Sequence, residues 1–300
     1  MPYNCVVLVK QVPDTANITG KAMKDDGTVN RAALPAIFNP EDLNALEMAL
    51  QVKDRHGGNV TVLTMGPPRA AEVLREALYR GADRVILFTD RKTAGSDTLA
   101  TSYTLKRAVE KIGADLGGYD LVFCGRQAID GDTAQVGPQV AEKLGLPQIT
   151  YAEAIEGLQD GQVVVRRALP LGTETVQCTL PCLLTVVGSA NQPRPPSARR
   201  MIAYKLAATP FDYGDLLEAW PEFETEEALE RYLAERDLQI TVWSAADVGA
   251  DEERVGLAGS PTKVLKVDFV VLESAESKAF GADAEGIQAL MEELVEEYVL

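Results

Sequence analysis

The chain of 300 residues carries 45 Asp and Glu against 29 Lys and Arg, a formal charge of −16. That balance argues against DNA, RNA or an anionic membrane surface as the main partner, since each of these attracts cations. Hydrophobic residues at 46% and charged residues at 25% are ordinary globular proportions. No apolar run nears the roughly 20 residues that span a bilayer, and MPYNCVVLVKQVPD lacks the form of a signal peptide, so a cytoplasmic protein with a buried core is expected.

Taken in chain order, the first half alternates strand and helix. Cys5 to Val9, Val60 to Thr64, Val85 to Phe88 and Leu121 to Cys124 are short apolar runs with the length of buried strands. Between them, Leu43, Leu46, Ala49 and Leu50 recur at helical spacing after Asn39-Pro40, as do Ala70, Val73, Leu74, Ala77 and Leu78 after Pro67-Pro68. Leu105, Ala108, Val109 and Ile112 mark a third helix, and a fourth is expected from Thr133 to about Leu144, closed by Gly145. This alternation implies right-handed crossovers and an α/β fold, a mainly parallel sheet with helices on both faces.

Beyond Thr150 the pattern turns to strands, Val163 to Ala168 and Thr175 to Val187, broken by Pro170 and Pro181. NQPRPPSARR follows, an extended proline-rich segment. No acid lies between Glu174 and Asp212, while Arg194, Arg199, Arg200 and Lys205 add positive charge, so a partner-docking patch and an ordinary solvated loop are both open readings. Asp212 to Asp237 then holds ten acids against Arg231 and Arg236, a net of −8. Its Leu216, Leu217, Trp220, Phe223, Ala228, Leu229, Tyr232 and Leu233 recur at helical spacing, which predicts an amphipathic helical insertion. Short strands and a last helix over about Ile287 to Val299 end the chain, and Asp283 to Glu297 adds a further −6. Two acidic segments therefore hang on a nearly neutral body.

Cys5, Cys124, Cys178 and Cys182 fit neither a zinc nor a redox spacing and read as core thiols, and the one histidine, His56, suits a helix end. Metal hydrolysis and Ser-His-Asp chemistry lose most of their usual residues. The strongest site signal is CGRQAIDGDTAQVGP, Cys124 to Pro138, placed where open α/β sheets bind ligands, between a parallel strand and the next helix. Gly125 and Gly131 permit close backbone approach, Asp132 or Thr133 suits a helix cap, and Gln127, Asp130, Thr133 and Gln135 offer hydrogen bonds to a ribose or base. A plain glycine turn with a capped helix fits the same motif. The other strand ends, VKQVPD (Val9 to Asp14), TMGPP (Thr64 to Pro68) and GSDTLATS (Gly95 to Ser102), converge on that edge and add Val9, Lys10, Gly66, Asp97, Thr98 and Thr101 as candidate contacts.

VKQVPD, Asn39-Pro40, TVLTMGPP, REAL with RGAD, GRQAIDGDTAQVGP, LPCLLTV, NQPR and GSPTKV (Gly259 to Val264) stand in the order and spacing of one family. Over nearly its whole length the chain resembles the β subunit of an electron transfer flavoprotein. The resemblance implies an adenine-nucleotide α-hydrolase-like domain over 1–192, with 193–300 holding the docking segment, the insertion at about 211–237 and a C-terminal arm on the α subunit. It also implies a pocket formed by Leu8, Asn39, Pro40, Glu41, Asp42 and Met65, together with Gly125, Arg126, Gln127, Ala128, Ile129, Asp130, Gly131, Asp132, Thr133, Ala134, Gln135 and Val136. Members of the family hold either structural AMP or a second FAD in that pocket, and in the latter the FAD takes hydride from NADH. The AMP branch resembles DDDCNQTG where this chain has DGDTAQVG; the smaller Gly131 and Ala134 favour FAD and the electron-bifurcating, nitrogen-fixation-type branch. No catalytic side chain is implied. The expected partners are the α subunit and a dehydrogenase or quinone-linked oxidoreductase, although Ala198 replaces the family's apolar docking anchor and AYKLAA its basic run. A synthetase of related fold would need a Ser-Gly-Gly phosphate loop where KQVPDT stands.

Overall fold

Aliphatic and β-branched runs that alternate between two apolar faces build the sheet. The computed structural model describes residues 2–14, 35–263 and 278–296. In chain order, β1 (Tyr3–Val9) is followed by a small antiparallel pair, β2 (Gln11–Pro13) and β3 (Ala36–Phe38), then α1 (Pro40–His56), β4 (Gly58–Met65), α2 (Ala71–Arg80) and β5 (Arg84–Phe88). Next come α3 (Thr98–Leu116), β6 (Leu121–Gly125), α4 (Val136–Leu144), β7 (Gln148–Gln159), β8 (Gln162–Leu169), β9 (Gly172–Thr179) and β10 (Cys182–Val186). The chain continues through α5 (Ala198–Ala203), α6 (Tyr213–Ala219), α7 (Glu226–Ala234), β11 (Thr241–Trp243) and α8 (Ala284–Glu296).

The nine-stranded sheet runs β11-β5-β4-β1-β6-β10-β7-β8-β9; β7 to β9 pair antiparallel, and the pairings from β11 to β7 are parallel. Period-two alternation sends Cys5, Val7 and Val9 into one core with residues of α1 and α2, and Val6 and Leu8 into the other with residues of α3 and α4. The sheet is therefore covered on both faces, as the sequence predicts. α1 opens on Pro40 with Glu41 and Asp42 in its first turn and closes with Lys53, Arg55 and His56 in its last, charges that suit its dipole.

Two sequence expectations are corrected. The fourth helix starts at Val136 rather than Thr133, because Asp132 and Ala134 take left-handed φ values of 49° and 52° that a helix cannot use. The proline-rich segment is extended only to Ser197, and α5 begins at Ala198. The predicted insertion forms α6 and α7, which bury Tyr213, Leu229 and Leu233 in a small core with Ala208 and Leu238. Asp212 at its start is held by Arg75 at 2.6 Å. The chain divides into two compact units, Met1–Leu265 and Lys266–Leu300. The second contains α8, and the expected end of that helix beyond Glu296 lies outside the described residues, as does Val264 of GSPTKV.

The basic run after NQP serves the fold first. Arg194 pairs with Glu47 at 2.8 Å and with Asp54 at 2.8 Å, and Arg200 donates to the carbonyls of Leu78 and Ala82, both at 2.5 Å. Burial works against ionisation of Glu47, but the Arg194 hydrogen bonds outweigh it and hold the carboxyl below its ordinary value. Arg194→Met leaves that carboxylate buried without its partner and should cost about 2–4 kcal/mol at pH 7 in urea unfolding. Since the folded value is lowered, the stabilisation exists above the ordinary glutamate range and disappears as pH falls through the folded value, so the gap between wild type and variant should narrow below about pH 4.

Candidate functional site

β1 and β6 are neighbours at the centre of the sheet, yet the chain builds outward from β1 toward β4 and from β6 toward β10. The loops that follow these strands therefore diverge, at the position where open parallel sheets form a crevice for ligands. The N-cap and first turn of α1 lie against them and take every second N–H from the last residue of β6 onward. Gly125 N–H donates to Asp42 Oδ1 at 2.8 Å, Gln127 N–H to Glu41 Oε2 at 3.0 Å and Ile129 N–H to Asn39 Oδ1 at 3.1 Å. From the other side, Arg126 N–H donates to the Val186 carbonyl at 2.8 Å. Asn39 Nδ2 donates to the Gln127 carbonyl at 2.9 Å, and Arg126 pairs with Glu41 at 3.1 Å. Gly125 is required by this approach: a Cβ there would meet Asp42 Oδ1 at 2.6 Å and the Asp42 nitrogen at 2.8 Å.

Asp42 also receives the Lys10 N–H at 2.8 Å, and the Lys10 ammonium reaches both oxygens of Asp130 at 2.8 Å. Burial pushes the Asp42 carboxyl up to about 7, against the lowering effect of the Gly125 and Lys10 N–H groups, the Asn39 amide and the Lys10 charge. The neighbouring Cys124 thiol is pushed up by burial and by Asp42, which suits an unreactive core thiol.

Past Ile129 the loop turns back on itself. The Gly131 and Asp132 N–H groups donate to the Ala128 carbonyl, and Gln127 Nε2 donates to Asp132 Oδ1 at 2.8 Å. Neither Asp132 nor Thr133 caps α4, contrary to the sequence expectation; its N-cap is Gln135, and no side chain caps it. Gln135 instead accepts from Thr98 Oγ1 at 2.9 Å, and Gln139 links Thr98 to Ser102, so the starts of α3 and α4 are bonded together. Asp97 caps α3 through the Leu99 and Ala100 N–H groups, and its second oxygen takes the Thr262 N–H and hydroxyl at 3.1 and 2.7 Å. Partial burial opposes ionisation of Asp97, but the Ala100, Thr262 and Leu99 hydrogen bonds hold its carboxyl below the ordinary range.

The structure thus gathers Lys10, Asn39, Glu41, Asp42, Gly125 to Gly131 and Asp132 into one bonded cluster, with Thr98 and Gln135 beside it. Leu8 and Val9 are buried in opposite cores, Pro40 and Thr133 are exposed, and the Ala134 to Val136 backbone leads into α4. Among the described residues no hydrogen bond joins Met65, Gly66 or Thr101 to the loop; Gly66 N–H donates to the Phe88 carbonyl and Thr101 N–H to the Asp97 carbonyl. Ser260 and Thr262, which hold Asp97, and Tyr151, with φ 58° and its ring 5.8 Å from the Arg126 guanidinium, were not singled out from sequence. The paired hydroxyls in GSPT were a signal for the first two; nothing local marks Tyr151.

Fold and site define an α/β protein with a hydrogen-bonded loop cluster at the switch point of a mainly parallel sheet. The electron transfer flavoprotein domain matches residues 26–210. Electron transfer flavoprotein subunit beta of Clostridium acetobutylicum is 43% identical over 264 residues, 88% of this chain and 86% of that one. Protein FixA of Azorhizobium caulinodans is 44% identical over 265 residues, 87% and 83% of the two chains. The caffeyl-CoA reductase-Etf complex subunit CarD of Acetobacterium woodii is 41% identical over 262 residues, 87% and 86% of the two. The chain belongs to the electron transfer flavoprotein family, as a β-type subunit. Among the described residues no helix is long and apolar enough to cross a membrane, and no cluster of His, Cys, Asp and Glu fits a metal.

Asn39→Ala removes the acceptor of Ile129 N–H and the donor to the Gln127 carbonyl, a loss of about 1.5 kcal/mol that falls on the loop rather than on the sheet. Trypsin cleavage after Arg126 should accelerate about tenfold, and stability in urea should fall by no more than the same ~1.5 kcal/mol.

Proposed function

We propose that this chain is the β subunit of a heterodimeric electron transfer flavoprotein that binds FAD at the crevice. In this reading it passes electrons between NADH or a dehydrogenase and the FAD of the α subunit, by flavin-based electron bifurcation. The observation that carries it is the form of the loop in front of α4. A Cβ built on Gly131 meets no atom within 4 Å, and Ala134 adds a single methyl, where the AMP-holding branch has bulkier residues. Behind this open space the uncapped first turn of α4 presents N–H groups and the positive end of its dipole, a fit for phosphate oxygens.

With the Asp132 N–H given to the Ala128 carbonyl, the phosphate contacts fall to the N–H groups from Thr133 to Gly137. Gln127 and Gln135 are held by Asp132 and Thr98, which leaves the exposed Thr133 hydroxyl for a ribose. Lys10 at the end of β1 and Met65 with Gly66 after β4 border the remaining space on the side of the ring. Bound FAD supplies the redox chemistry; the chain supplies position, electrostatics and exclusion of water. In this reading the nucleotide contacts lie within 1–192 and the parts that meet other proteins lie in 193–300, although β11 completes the same sheet and Met1–Leu265 form one compact unit. Met201 and Ile202 of α5, 45% and 79% exposed beside Arg199, are the anchor offered to a dehydrogenase or quinone-linked partner in place of Ala198. Ile287, Leu290, Met291 and Val295 form an exposed apolar stripe on α8 that suits the α subunit.

Cofactors released from the co-expressed αβ complex decide the matter. Two FAD per heterodimer, one of them reduced by NADH, are expected when absorbance and chromatography are combined. One FAD with one AMP, and no reduction by NADH, would show that the crevice holds a structural nucleotide.

A further inference from the structure

We propose that Asp42 is a positioning residue whose charge state sets how firmly the crevice is closed. Ionised, its carboxylate ties the ends of β1 and β6 together; protonated, it lets them part, so that nucleotide is held more tightly by the ionised form than by the protonated one. The geometry is specific. The ladder between β1 and β6 runs from Cys5↔Leu121 to Leu8↔Cys124 and goes no further. The Asp42 carboxylate continues the connection where the strands diverge, one oxygen on Gly125 N–H and the other on Lys10 N–H, each at 2.8 Å.

Both partners are donors, and this makes the link sensitive to a proton. A carboxylate accepts at both oxygens with the help of its charge. A carboxylic acid sets its own O–H against one of the two N–H groups, so one strand end loses its acceptor. Burial supports a titration in the working range, since it lifts this carboxyl to about 7. The charged and titratable groups that face it are the Lys10 ammonium with its Asp130 partner, the Cys124 thiol on β6, and the Glu41–Arg126 pair on the adjoining loop. Asp97 supplies a contrast within the same molecule, a carboxylate that also holds backbone N–H groups but stays ionised because its carboxyl lies below the ordinary range.

With a midpoint of about 7, the ionised fraction of Asp42 falls from about nine-tenths at pH 8 to about one-tenth at pH 6. Hydrogen exchange of the full chain, corrected for the intrinsic pH dependence of exchange, reads the clamp without any ligand. Protection of the Gly125 and Lys10 amides should be about tenfold lower at pH 6 than at pH 8, while Leu99 and Ala100 on the Asp97 cap stay level. In Asp42→Asn the slope at Gly125 and Lys10 should vanish. Binding of FAD, which has no group titrating in this interval, should weaken about tenfold over the same two pH units in wild type only. Level protection at Gly125 and Lys10, a parallel fall at Leu99 and Ala100, or an unchanged slope in Asp42→Asn would each overturn the proposal. This second arm rests on the FAD reading of the crevice; failure of FAD to bind at pH 8 counts against that reading alone, because the exchange data judge the clamp separately.

Discussion

The end of β6 and the loop that follows it have almost no core of their own and depend on three side chains from the N-cap and first turn of α1. Asn39, Glu41 and Asp42 accept the N–H groups of Ile129, Gln127 and Gly125, as a neighbouring strand would. Exposed loop backbone of this kind would otherwise fluctuate, since water satisfies it as well as protein does. Everything downstream follows from that template. It sets where Asp130 meets Lys10 and where the chain turns at Ala128, and so it delays α4 to Val136 with its first N–H groups uncapped. The same loop that would seem rich in phosphate donors has most of them assigned to the protein before α4 is reached.

Charge plays two separate parts in the molecule. Inside the first compact unit, opposite charges are spent on long-range ties: Arg194 with Glu47 and Asp54, Arg75 with Asp212, Lys10 with Asp130. The surplus of −16 sits mainly in the insertion and around α8. The insertion is a small folded element with its own core of Tyr213, Leu229 and Leu233, so its acids are displayed on structure rather than on a tail.

Much of this was legible from residue order because sheet and helix periodicities are local. The runs Cys5 to Val9 and Leu121 to Cys124 and the spacing of Leu43, Leu46, Ala49 and Leu50 mark their elements without help from the rest of the chain. The candidate site was marked in the sequence as a place, through the glycine-rich motif and its position after a strand. Its wiring was not. Asp132 and Thr133 look like helix caps, but the turn at Ala128 places the chain in left-handed φ before α4 begins. Arg194 looks like part of a docking patch until Glu47 and Asp54, about 140 residues earlier, are brought to it. Side chains that answer backbone groups 83 to 90 residues away leave no mark in a local pattern.

Within the electron transfer flavoprotein family, this places the β-type subunit's identity in a scaffold that prepares one loop and leaves its far end open. A crystal structure of the αβ complex with its nucleotide bound tests that directly. The Gly125, Gln127 and Ile129 N–H groups should remain on Asp42, Glu41 and Asn39, with phosphate oxygens against the first turn of α4. Phosphate seated on the Gly125 to Ile129 backbone, with the loop drawn away from α1, would contradict it.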